Sequence, residues 1–185
     1  SKLLLPRFIE PHAHIDKAFT WSSFPSFDGT YEEALRVNLK EHQTRTAEKV
    51  LLNAEQSLKL ALRNGYRAIR SHIDSFGPFA YETWDVLLEL KRKWKDIIEL
   101  QLVAMVPLNY WSTKEGRNFA RMIAKENGVL GGVIVPPLNI KTTRNCLSNL
   151  LRLANDLGCE LDLHIDESDS EPAAGLKILI SLLDQ

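Results

Sequence analysis

Cysteine is scarce in this chain of 185 residues. Cys146 and Cys159 are the only two, with no CxxC spacing and no pairing pattern. That excludes a disulfide framework and suits a reducing cytosol, so a cytoplasmic location is expected. A basic excess is missing as well: 23 Lys and Arg stand against 24 Asp and Glu, for a net charge of -1. A nucleic-acid or anionic-membrane surface needs a basic surplus or stripe, so neither is an expected partner. The one dense basic patch, Lys91-Arg92-Lys93-Trp94-Lys95, follows an amphipathic segment and reads as its solvated end. No apolar run approaches the length of a membrane span, and neither an internal repeat nor a low-complexity linker interrupts the chain. With 44% hydrophobic residues it carries enough apolar material for a globular core.

Against this background Pro11-His12-Ala13-His14 stands out, reached by the apolar run Leu3-Leu4-Leu5-Pro6-Arg7-Phe8-Ile9. Side chains two apart in an extended strand point to one side. Read as the carboxyl end of a strand from Arg7 to His14, the pair presents two imidazoles on one face, half of a transition-metal site.

Strand-like runs then alternate with amphipathic helical stretches, the signature of a parallel α/β sheet. Strands are expected over Arg7 to His14, Tyr66 to Asp74, Ile97 to Val106, Leu130 to Val135 and Glu160 to Asp166. Helices are expected over Thr30 to Asn64 with a break near Thr44-Arg45-Thr46, Glu82 to Lys95, Lys114 to Asn127, Thr142 to Leu157, and from Ala173 to Gln185. Val50, Ala54, Leu58, Ala61 and Leu62 form an apolar stripe; Leu147, Leu150, Leu151, Ala154 and Leu157 form a buried one.

Strand parity narrows the architecture. Leu161, Leu163 and Ile165 oppose Asp162, His164 and Asp166, and Ile69, Ser71 and Ile73 oppose Arg70, His72 and Asp74. One apolar and one ionisable face suit a barrel whose outside packs on helices, whereas a doubly wound sheet is apolar on both faces. The expected fold class is α/β, a TIM-like (β/α)8 barrel. Five strands cannot close it, so the chain is expected to hold only the first five βα units, with both ends cut inside a larger fold.

The ionisable residues gather at strand carboxyl ends, where barrel enzymes hold their chemistry. His164 is a third candidate ligand beside His12 and His14, and Glu167 starts the loop above it. A metal ion with an open position lowers the pKa of bound water, and a neighbouring carboxylate can carry the proton to the substrate. His72 and Asp74 either orient a ligand, bind substrate or fill the barrel mouth with polar groups. His42, among Lys40, Glu41 and Gln43, reads as solvated surface.

Phe8-Ile9-Glu10-Pro11-His12-Ala13-His14-Ile15-Asp16, Arg70-Ser71-His72-Ile73-Asp74, Leu100-Gln101-Leu102-Val103-Ala104 and Leu163-His164-Ile165-Asp166-Glu167 together resemble the cytosine deaminase branch of the amidohydrolase superfamily. The resemblance runs along essentially the whole chain. It implies a metal-dependent (β/α)8 barrel with a small β-sandwich, hydrolysing C–N bonds of small cyclic nitrogen compounds by way of a metal-bound hydroxide. It implies one divalent ion, zinc or iron, held by His12, His14 and His164, with Glu167 as the proton shuttle. His72, Asp74, Gln101, Asn109 and Asp166 remain as groups that support the ligands or touch substrate.

The family's sixth-strand histidine and eighth-strand aspartate find no match within these residues. Residues 1–185 are therefore expected to supply strands 1 to 5 of a partial hydrolase barrel, without the sandwich and without strands 6 to 8. Cytosine deaminases carry a pyrimidine-reading glutamine after the third strand. Here the run is Val106-Pro107-Leu108-Asn109-Tyr110, in which Asn109 takes that role only if the loop shifts. The expected partner is a small heterocyclic substrate, and a homo-oligomer is expected. Hydrolysis of a cyclic or N-substituted amide on the same site, and a non-catalytic fragment or degenerate homologue, stay open as alternatives.

Overall fold

The structure, a computed structural model, describes residues 3–168 and 170–184. It divides into two compact units, one ending at Leu102 and the other starting at Val103. Five strands are hydrogen-bonded in sequence order, β1 (Phe8–Ala13), β2 (Tyr66–Asp74), β3 (Glu99–Met105), β4 (Val129–Ile134) and β5 (Leu161–Ile165). Helices alternate with them: α1 (Tyr31–His42), α2 (Ala47–Arg63), α3 (Ala80–Trp94), α4 (Lys114–Lys125), α5 (Ile140–Leu157) and α6 (Ala174–Leu183). This is the α/β alternation of the first five βα units of a (β/α)8 barrel. Gln185, the expected last residue of α6, lies outside the described residues.

In the first unit the break between α1 and α2 falls at Gln43 to Thr46, because Thr46 starts a new helix by accepting the Lys49 N–H at 3.3 Å. Val50, Ala54 and Leu58 of α2 are fully buried, as their four-residue spacing predicts. The stripe then departs from expectation: Leu62 stays 37% exposed, and Ala61 instead lines an open groove of about 600 Å³ with Phe8, Leu60, Asn64 and Tyr66. The helix packs on α3, whose Trp84, Leu87 and Leu90 are buried, and Lys93 of α3 reaches Glu55 of α2 at 2.6 Å. In the basic patch Arg92, Lys93 and Lys95 are exposed, Lys91 is half-buried and Trp94 is buried.

β1 pairs with β2 in parallel, yet not regularly. Between Glu10↔Ile69 and Ala13↔Ser71 the first strand has one residue more than the second. Pro11 falls in that bulge, where a residue without an N–H costs the ladder nothing. The strand therefore ends at Ala13, and His14 sits one residue beyond it rather than within it as expected.

In the second unit β4 and β5 run in unbroken register from Leu130↔Leu161 to Ile134↔Ile165. Gly131 is required by close approach: a Cβ there would stand 2.8 Å from the Ala104 carbonyl and from Val103 Cγ1. A single 3₁₀ turn, Leu108–Ser112, follows β3 and was not expected. Its Trp111 is buried, donating its indole N–H to the Gly131 carbonyl at 2.8 Å. Asn139 caps α5 through the Thr142 N–H, and Gly158 in the left-handed region (φ 65°) closes it. Cys146 and Cys159 are both free and half-buried. Among the described residues no helix is long and apolar enough to cross a membrane.

Candidate active site

His12 and His14 remain neighbours despite the bulge, with ring centroids 5.2 Å apart. The ring of His72, from β2, lies against both. It stacks on His12 at 4.1 Å and stands 5.7 Å from His14. His72 is fully buried. Its backbone also contributes, since His14 Nδ1 lies 3.0 Å from the His72 carbonyl. A carbonyl can only accept, so Nδ1 is the protonated donor in this bond. That is the usual arrangement of a metal-ligating imidazole. His12 is more open, and its backbone N–H donates to the Glu10 carboxylate at 3.0 Å.

The same unit holds a buried charge cluster that strand parity only half revealed. Asp74 accepts from Lys17 Nζ on both oxygens at 3.0 Å, from Arg45 Nη1 at 3.1 Å and from Asn38 Nδ2 at 3.2 Å. Asp16 accepts from Arg45 Nη1 and from the Asp74 backbone N–H, each at 3.1 Å, through one oxygen. Arg45 also pairs with Glu41. Burial works against the Asp74 carboxylate, but Lys17 and Arg45 outweigh it and hold the group below its ordinary value. Asp16 moves the other way, pushed up first by burial and then by the neighbouring Asp74 charge. Asp74 is thus the anchor of an ion-pair network.

Lys17, Asn38, Glu41 and Arg45 escaped the sequence reading. The available signal was Asp74 itself, since a carboxylate buried in a strand needs a cation nearby. His42 requires a correction. It is half-buried rather than solvated, its ring stacks on Phe76 at 4.3 Å, and burial together with the Arg45 charge lowers its pKa.

In the second unit His164 is buried in β5 opposite Val133 of β4. Asp166 adopts the left-handed conformation (φ 59°), and its carboxylate accepts the Gly175 and Leu176 N–H groups at 2.8 and 2.9 Å. It therefore caps the start of α6, where free N–H groups favour an anion. Glu167, next along, is exposed and is not the cap of this helix. Asn109 is exposed in the 3₁₀ turn. Gln101, in the first unit, is half-buried and accepts Arg70 Nε at 3.0 Å, which orients its amide.

His12 and His14 lie in the first unit and His164 in the second, and each carries an imidazole of the kind that can hold a metal ion. Three imidazoles suit zinc and iron alike.

No protein-family model matches the chain. It is 30% identical over 179 residues, 96% of its length, to a pterin deaminase from Rhizobium rhizogenes, of which it covers 40%. It is 24% identical over 172 residues, 90% of its length, to N-isopropylammelide isopropyl amidohydrolase from a Pseudomonas species, of which it covers 43%. The fold is similar to that of 5-methylcytosine deaminase from Klebsiella pneumoniae, crystallised with phosphonocytosine, with a TM-score of 0.79 and 26% identity over 96% of this chain and 43% of that one. The chain thus spans about two fifths of the length of the curated relatives it matches. Its homologues are deaminases and amidohydrolases, to which the chain is similar in sequence and in fold.

Proposed function

We propose that the whole protein is a metal-dependent hydrolase that deaminates a small nitrogen heterocycle, and that the 185 residues supply strands 1 to 5 of its barrel. One observation carries the reading: His12 and His14 keep their rings 5.2 Å apart at the end of β1, and His14 Nδ1 is engaged by the His72 carbonyl at 3.0 Å, which turns Nε2 to the ligand side. In this reading His12, His14 and His164 hold one divalent ion, zinc or iron. The ion, when bound, supplies the Lewis acidity that brings the pKa of a water toward neutrality.

Glu167 accepts the proton that this water gives up and returns it to the substrate nitrogen. The new C–O bond replaces the C–N bond, and ammonia leaves with the transferred proton. His72 backs the two first-strand ligands, and Gln101, held by Arg70, and Asn109 are the amide groups available to a ring substrate. A cytoplasmic, homo-oligomeric protein fits the same reading. The N-isopropylammelide relative favours a second one, in which an N-substituted amino group leaves the ring in place of ammonia.

Two variants of the whole protein separate the roles. Glu167→Gln keeps size and reach but cannot carry a proton. It should retain its metal and lose at least about 10²-fold in kcat for ammonia release, tested over pyrimidines, pterins and N-alkylated triazines. His164→Ala should instead lower the metal content, because it removes a ligand. A metal-loaded Glu167→Gln protein with undiminished turnover would remove Glu167 from the mechanism. A wild-type protein that purifies and reconstitutes without metal would sink the whole reading.

A further inference from the structure

We propose that Ser71 is a positioning residue for His14, fixing the backbone on which that ligand stands; the inference rests on the metal reading above. β1 ends at Ala13, which pairs with Ser71, and His14 follows directly. At this strand end the Ser71 hydroxyl bonds the backbone on both sides of His14. Ser71 Oγ accepts the Ile15 N–H at 3.0 Å and donates to the Ala13 carbonyl at 3.2 Å. The carbonyl is an acceptor only, so the hydroxyl proton must point to Ala13 and its lone pair to Ile15.

Those two groups belong to the peptide planes on either side of the His14 Cα. Pinning both planes fixes φ and ψ of His14, and the His72 carbonyl then fixes its ring through Nδ1. Ser71 and the side chain of Ile15 are buried, at 0% and 2% exposure, so no water stands ready to replace the hydroxyl. The side chain of Ser71 touches neither the imidazole nor its lone pair in these bonds. Its effect on a bound ion passes entirely through where it puts His14. The alternation of β2 had assigned Ser71 to the apolar face, which disguised a polar group with a task.

The test uses cobalt(II) titration of the whole apoprotein, read by visible absorption, with thermal unfolding of the same apoproteins alongside. Ser71→Ala should bind cobalt about 10- to 100-fold more weakly than wild type, the range for groups that orient a metal ligand. In a His14→Ala background the same Ser71→Ala change should cost nothing further in cobalt affinity. A merely structural serine would weaken both backgrounds equally, and that result would overturn the proposal. So would a folded Ser71→Ala protein that binds cobalt as tightly as wild type. Should the alanine variant not fold, Ser71→Thr retains the hydroxyl and should keep wild-type affinity; a folded Ser71→Thr protein with loss of affinity would likewise count against it. Wild type that binds no cobalt would overturn the metal reading itself, and this inference with it.

Discussion

At Asp74 burial and charge compete within one side chain, and charge wins. Loss of water penalises the carboxylate, but Lys17 at 3.0 Å and Arg45 at 3.1 Å hold it at about 2, against an ordinary 3.8. Asp16, just as buried, has one engaged oxygen and a like charge beside it, and rises to about 6. The lowered group has a definite consequence for stability. A carboxyl whose folded pKa lies below its unfolded one stabilises the native state above the unfolded value, and that contribution is lost as pH falls toward the folded value. For Asp74 the window runs from about pH 4 down to about pH 2. Wild type should therefore resist urea better than Asp74→Asn at pH 6, with the gap in unfolding midpoint closing across that window. A gap that stays constant from pH 6 to pH 2 would mean that hydrogen bonding, not charge, is what Asp74 contributes.

At the scale of elements, Arg45 joins pieces that are distant in sequence. It stands in the short link between α1 and α2 and bonds Glu41 of α1, Asp16 in the loop after β1 and Asp74 at the end of β2. Arg45→Met keeps the side chain's length but leaves three acidic groups without their common cation. Removing one partner of a buried pair costs roughly 3–5 kcal/mol, because the remaining charges stay out of water uncompensated. Chemical denaturation should show a loss of that order; a loss below about 1 kcal/mol, as for a surface pair, would mean that the cluster is wetter than its burial indicates. The helix break that puts Arg45 there was legible in Thr44-Arg45-Thr46, since a threonine in that position starts a helix. The partners of Arg45 were not, because ion pairs between residues 29 apart follow from the fold and leave no local pattern. The same limit applied at β1. The alternation of His12 and His14 is visible in sequence, but Pro11 and its bulge shift the strand end, and only the pairing with β2 shows that. Asp166 was read only as a group that supports a ligand or touches substrate, and the left-handed backbone that lets it cap α6 leaves no mark in the sequence.

For the molecule as a whole, the order of strands and helices was readable because each element carries its own period and its own stop, as Gly158 and the threonine and asparagine caps show. The substrate was not readable, because what reads a ring is loop geometry after the strands, and Asn109 stands in a 3₁₀ turn that no pattern announced. The histidines nevertheless make a global prediction. An ion that binds only the native state stabilises it by an amount set by concentration over Kd, about 2.7 kcal/mol at a hundredfold excess. His14 has one ring nitrogen committed to the His72 carbonyl, which leaves Nε2 as the position a metal would use. The whole protein should unfold several degrees higher with zinc than with a chelator, and His14→Ala should show little increment. Scanning calorimetry reads both. An increment that His14→Ala leaves unchanged would assign the stabilising ion to other groups.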